Sequence, residues 1–311
     1  MATRHPTAIC RVWQFDSRRW AAYVARPGDI VIATYPKSGT TWMQRIVSLL
    51  VFQNTEPRPV MEMSVWPDAN LRPLDAVVKA LDQQTHRRFL KAHLPYDALP
   101  IHDHVRYIHV ARDGRDAALS YHRHLLGLRD EIIARFDAVG RTDETLARPF
   151  PRTPEDPGDY FHRWITEGVD PDAADGMPLP SYFAFEQSWW QARDQENVLL
   201  VHFADLKADL DGEMRRIAAF LEIETPEALW PTLVETAGFS AMQKEGAGLL
   251  GKMGDMIFRD GGASFIHQGT GGRWRDVFRE DDLSTYEARM NTLPAPCAQW
   301  LRAGRHAGLA Q

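Results

Sequence analysis

The 311-residue chain has only two cysteines, Cys10 and Cys297, near opposite ends. Two are too few for a disulfide framework, so a reducing compartment is expected. Long apolar runs are also missing: the most hydrophobic stretch, residues 46–52, is far too short to cross a bilayer. Arg4, Arg11, Asp16, Arg18 and Arg19 crowd the amino terminus with no apolar run between them, which does not read as a signal peptide. A cytoplasmic protein without membrane contact is the expectation. Positive charge is not in excess; the formal net charge of −6 argues against a surface built for nucleic acid. Any anion must therefore be held by a local cluster. No His/Cys/carboxylate group has metal-ligand spacing, so no metal is expected. Without an internal repeat, a low-complexity tract or a clean linker, residues 1–311 read as one domain.

What is present suffices for a large core: 44% hydrophobic residues, with 10 Trp and 14 Phe. Residues 29–35 form a β-branched run that stops at Pro36 and reads as a buried strand. Trp42, Ile46, Leu49 and Leu50 then recur at helical spacing. The same strand, polar turn and helix recur at residues 105–110, followed by Ala117, Leu119, Tyr121 and Leu125, and at 198–202, followed by Met214, Ile217 and Leu221. A fourth strand is expected at 88–91. Strands alternating with helices predict an α/β fold, a central parallel sheet flanked by helices on both faces. Ligands of such sheets sit at the carboxyl ends of the strands, where these polar turns fall.

The first turn is Pro36-Lys37-Ser38-Gly39-Thr40-Thr41-Trp42. A helix amino terminus presents free N–H groups, Gly39 permits close approach, and Lys37, Ser38, Thr40 and Thr41 add donors, which together suit a phosphate or sulfate. The same residues would also make an ordinary capped helix. The lysine precedes the glycine and no earlier glycine sits at the offset of a nucleoside-triphosphate loop, which weakens that reading. Two further segments carry chemistry: Lys91-Ala92-His93-Leu94-Pro95, and Arg112-Asp113-Gly114-Arg115-Asp116 leading to Ser120. Alone, the latter is equally a solvated turn with internal ion pairs, and His93 is one of 12 histidines at a strand end.

Taken together, these motifs resemble the cytosolic sulfotransferases that use 3′-phosphoadenosine 5′-phosphosulfate (PAPS), over about residues 29–280. The resemblance implies a nucleotide-hydrolase-like sulfotransferase fold and transfer of a sulfonate group from PAPS to a hydroxyl of a small acceptor (a phenol, alcohol or natural product), leaving 3′,5′-ADP. It implies that His93 is the catalytic base, assisted by Lys37 and Lys91. Lys37, Ser38, Gly39, Thr40 and Thr41 would hold the 5′-phosphosulfate, and Trp42 would stack on adenine. Arg112 and Ser120 would hold the 3′-phosphate. Phe203 stands where the family often has tyrosine, and Phe239 falls in a segment that touches adenine. The last family motif reads His267-Gln268-Gly269-Thr270-Gly271-Gly272-Arg273-Trp274, lacking two usual cations; Gly269 still offers its N–H and Arg273 is a substitute cation. The family's dimer motif has no good match, so no oligomeric state is assigned.

Two rivals stay open. A nucleotide kinase or NTPase would need magnesium and a carboxylate to hold it; a non-catalytic nucleotide-binding relative would suit the missing cations. The irregular segments 141–180 and 246–272 are expected to fold over the site as lids. Their aromatics Tyr160, Phe161, Trp164, Tyr182, Phe183 and Phe265 would then wall an apolar acceptor pocket.

Overall fold

The computed structural model describes residues 4–169, 173–262, 269 and 271–305. Four strands, β1 (Ile30–Thr34), β2 (Phe89–Ala92), β3 (Arg106–Ala111) and β4 (Val198–His202), form one sheet in the order β2-β1-β3-β4. Every pairing is parallel, with Ile32 between Lys91 and Ile108. All four expected strands are present within a residue of their expected bounds. The chain leaves β1 for β2 on one side and returns across it to β3 on the other. Such a reversal opens a crevice at the carboxyl ends of the central strands.

Strand β1 is buried at all five positions, as a strand covered on both faces must be. Alternation along it splits the core. Ile30 and Ile32 pack with Met43, Ile46 and Leu50 of the helix Thr40–Phe52 and with Met214 and Ile217 of the helix Leu210–Phe220. Val31 and Ala33 join the opposite cluster, with Leu119 and Tyr121 of the helix Gly114–Leu126. Trp13, Phe15 and Trp20 of the amino-terminal segment complete that second face and are each at most 2% exposed.

The lid expected at 141–180 is a correction. Its centre is the helix Pro157–Thr166, begun by Asp156, which accepts from the Asp159 N–H. Tyr160, Phe161 and Trp164 are buried in the core, and so are Tyr182 and Phe183 of the helix Tyr182–Gln191. Proline and aspartate mark the turns at its ends, while the aromatics recur at helical spacing between them and bury for the ordinary hydrophobic reason. These five side chains therefore do not wall an acceptor pocket; Phe265 lies outside the described residues. The second expected lid is in part helical, Phe239–Leu250 and Lys252–Ile257, and does border the site. Among the described residues no helix is long and apolar enough to cross a membrane.

Candidate active site

The polar turn after β1 is held in a backbone form that few residues adopt. Lys37 has φ +70° and Gly39 has φ +114°. A Cβ at Gly39 would lie 3.1 Å from Phe203 Cδ2 and 3.4 Å from Val110 Cγ1, so glycine is required by conformation and by space. The first bond of the following helix runs from the Met43 N–H to the Gly39 carbonyl at 3.0 Å. The amides of Thr40, Thr41 and Trp42 thus have no intrahelical acceptor. The Ser38 Oγ is buried without a hydrogen-bond partner among the described residues, and so is the Arg112 Nε. Arg112 donates from Nη1 to the Lys37 carbonyl (3.2 Å), with its guanidinium 4.4 Å from the Phe203 ring centre. Donors gathered round a glycine turn with no carboxylate in it form a cradle for an anion.

The two lysines in this cradle hold their protons less tightly than a free lysine does. Burial, then Arg112 and Lys91, bring the Lys37 ammonium down to about 7. Burial brings Lys91 down to about 8, opposed by the Asp68 carboxylate. The Lys91 Nζ also lies 3.9 Å from the Trp66 ring centre.

His93 follows β2 directly and is 6% exposed. Its Nδ1–H donates to the Thr34 carbonyl at 2.8 Å, which leaves Nε2 as the unprotonated nitrogen. Burial, followed by the Lys91 charge, holds this imidazole well below its usual 6.5, although the Thr34 bond opposes the shift. Trp66 meets its ring edge-on at 5.1 Å and Phe15 lies at 6.2 Å. The result is an oriented, neutral base.

One cavity of about 480 Å³ joins these parts. It is lined by Lys37, Lys91, His93, Arg112, Ser120, and the Gly39-Thr40-Thr41-Trp42 run. Phe203, Phe239, Gly269 and Arg273 line it as well. Of the residues expected from sequence, only Ser38 is absent from the wall, being buried behind the turn. Trp42 is both wall and core: its Nε1–H donates to the Ala237 carbonyl (2.8 Å) and its ring meets Phe203 edge-on at 5.2 Å. The Arg-Asp-Gly-Arg-Asp turn divides its work. Arg115 is tied to Asp113 and Glu287 and lies over Trp274, whereas Arg112 faces the cavity. His267, Gln268 and Thr270 lie outside the described residues. No group of three His, Cys, Asp or Glu that could hold a metal occurs among the described residues.

Four residues of the site were missed in the sequence. Arg123 and His124 line the cavity one turn beyond Ser120, on the same helix face, and that spacing was a readable signal. Arg123 and Arg273 are close enough to repel, and neither has an ion-pair partner among the described residues. Asp68 is fully buried and accepts three hydrogen bonds, from Trp20 Nε1 (2.9 Å), Trp66 Nε1 (2.6 Å) and the His93 N–H (3.2 Å). Burial brings its carboxyl up to about 6 against those bonds. Gln14 joins the wall from the amino-terminal segment. Neither Asp68 nor Gln14 sits in a patterned stretch.

Comparison with known proteins places these features in context. A family model described as "Sulfotransferase domain" matches residues 27–298. A protein named glycolipid sulfotransferase from Mycobacterium tuberculosis is 34% identical, with 98% of each chain covered. Sulfotransferase 1B1 of Mus musculus is 26% identical over 91% of this chain and 88% of its own. Among solved structures, mouse sulfotransferase SULT7A1 complexed with PAP aligns with a TM-score of 0.64 at 18% identity, covering 91% of both chains. Retinol dehydratase, solved with androsterone and PAP, aligns at 0.66 and 23% identity, over 89% of this chain and 85% of that one. At those identities the solved structures speak to the fold.

Proposed function

The chain belongs to the sulfotransferase family, and from that membership we propose that it moves a sulfonate group from PAPS to a hydroxyl of a small, largely apolar acceptor. The observation that carries the reading is the His93 imidazole, neutral and fixed as the Nδ1–H tautomer by Thr34, in one cavity with Lys37, Lys91 and the amide turn. In this reading, the amides of Thr40 and Thr41 hold the 5′-phosphate at the Gly39 turn, and Ser38, buried behind that turn, supports it from the back. Arg112, Ser120, Arg273 and the Gly269 N–H hold the 3′-phosphate. Arg123 joins them, supplying positive charge where the family's usual cations are replaced. Trp42, Phe203 and Phe239 enclose the adenine, whose flat faces suit aromatic walls.

His93 Nε2 takes the proton of the acceptor hydroxyl, whose oxygen forms a bond to sulfur as the bond from sulfur to the bridging phosphate oxygen breaks. Lys37 neutralises the charge that develops on the departing oxygen, and Lys91 faces the sulfonate oxygens. The products are a sulfate ester and 3′,5′-ADP. A relative's name supports an acceptor with a substantial apolar body, since it is called a glycolipid sulfotransferase.

The test is a labelled-sulfonate transfer assay over phenols and alcohols, run with His93→Ala beside the wild type. A positioned general base is worth about 10²–10⁴ in rate. The variant should lose about that much turnover and still bind 3′,5′-ADP. Near-normal turnover in the variant removes the base assignment; no affinity of the wild type for 3′,5′-ADP removes the whole reading.

A further inference from the structure

Away from the lysines the cavity wall is apolar, built from Phe15, Leu119, Ile132, Phe136 and Phe258 among others. Among the polar side chains set into it are Gln14, Tyr121 and His124. Gln14, 6% exposed, donates from Nε2 to the Tyr121 hydroxyl at 2.8 Å, and its Oε1 is buried with no hydrogen-bond partner among the described residues. The Tyr121 ring stacks on His124 at 5.5 Å and 15°, and His124 meets Phe258 edge-on at 5.2 Å. Phe15, next in sequence to Gln14, packs against His93 at 6.2 Å. The cluster therefore adjoins the proposed base without being part of it.

We propose that Gln14, Tyr121 and His124 form a second polar contact that reads a second hydroxyl on the acceptor. The inference rests on the transfer reading above for its first hydroxyl, the one delivered to His93. An unpaired amide oxygen in an apolar wall is costly, and the group that relieves it must be a donor. The Tyr121 hydroxyl, while accepting from Gln14, keeps its own hydrogen to give. A hydroxyl is the small group that donates to one of these atoms and accepts from the other. A carboxylate cannot donate to the Gln14 oxygen. An ammonium would lose its hydration beside the Lys37 and Lys91 charges. Burial, then those two lysines, hold the His124 imidazole well below 6.5, which keeps it neutral beside Tyr121. The acceptor class is thus an apolar ring or chain carrying two hydroxyl groups.

The experiment measures calorimetric binding to the protein saturated with 3′,5′-ADP, using a 4-alkylphenol and the 4-alkylcatechol of equal chain length. The dihydroxy compound should bind at least about tenfold tighter, the worth of one well-made hydrogen bond. In Gln14→Leu and in His124→Phe, each checked for a native melting transition, the ratio should shrink to within about threefold. Two variants guard against one failing to fold. Equal or absent binding of the pair, or a ratio that survives both substitutions, overturns the inference. Product formation is read separately: a binding preference with no sulfated product counts against transfer and upholds the contact. Sulfated product from both compounds with equal affinities overturns the contact alone.

Discussion

Replacing Asp68 with asparagine removes one buried charge while keeping the side chain's shape. All three of its neighbours are donors: Trp20 Nε1 on Oδ1, and Trp66 Nε1 with the His93 N–H on Oδ2. An amide has one oxygen, so whichever way it turns, its NH₂ confronts an N–H. With the oxygen in the Oδ2 position two bonds survive and the Trp20 indole loses its acceptor. Stranding one buried donor costs about 1–3 kcal/mol. For a chain of this size that corresponds to a fall in Tm of roughly 2–6 °C.

Stability alone would mark Asp68 as structural, so a second readout is needed. Among the described residues the Asp68 carboxylate is the charge that raises Lys91 against its burial. Without it, Lys91 loses its proton at a lower pH than about 8. Sulfotransfer, and affinity for 3′,5′-ADP, should then fall away on the alkaline side at a lower pH than in the wild type. The assay is 3′,5′-ADP affinity by calorimetry between pH 6 and 9, which needs no acceptor, followed by the rate profile with the best acceptor found. An alkaline midpoint that does not move in Asp68→Asn refutes the electrostatic argument, even if Tm falls.

Other expectations follow from the same geometry. The His93 base must be neutral to act, and its titration is displaced downward, so the active fraction is full above that lowered value and is lost only as pH falls through it. The acid limb of the rate should have its midpoint below pH 6.5; a midpoint at or above 6.5 excludes the assignment. Gly39→Ala forces a Cβ into φ +114° and to within 3.1 Å of Phe203, which costs roughly 1–3 kcal/mol by denaturant unfolding and weakens 3′,5′-ADP binding. If Gly39→Ala is as stable as the wild type, the strain argument fails. Arg123→Ala and Arg273→Ala should weaken 3′,5′-ADP but leave 5′-AMP affinity nearly unchanged. Equal losses for both nucleotides would remove these residues from the 3′-phosphate.

The fold was legible because its strands are short β-branched runs bounded by polar turns, and parallel strands buried on both faces keep that signature. Sequence periodicity also pointed to the helix at 40–52, whose Trp42, Ile46 and Leu50 do pack on β1. It failed at 141–180, where turn residues at both ends hid a short aromatic helix whose burial depends on a face of the sheet that no local pattern reveals. Lys37, His93 and Arg112 were legible because each stands in the turn that follows a strand. Asp68 and Gln14 were not, since each reaches the site from irregular chain through tertiary packing. Their partners, Trp20, Trp66 and Tyr121, come from up to 107 residues away.

The electrostatics of the cavity explain how a chain of net charge −6 can hold a polyanion. Lys37 and Lys91, titrating near 7 and 8, line the same cavity as Arg112, and the Arg112 and Lys91 charges act on Lys37. Burial, and for Lys37 the neighbouring charges as well, disfavours their charged forms, so near neutrality the cradle carries less positive charge than its residue count suggests. A bound phosphate reverses the balance, because an anion against an ammonium favours the proton. Binding must then draw protons onto the lysines, and affinity must decline as pH rises from about 7 through 8. In the proposed transfer the same anionic charge stays on 3′,5′-ADP, whereas the acceptor's proton moves to His93, whose imidazole burial, and then the lysine charges, make a poor holder of charge. Under that proposal one arrangement of cations serves both ends of the reaction: the bound nucleotide charges it, and it favours the neutral form of the spent base.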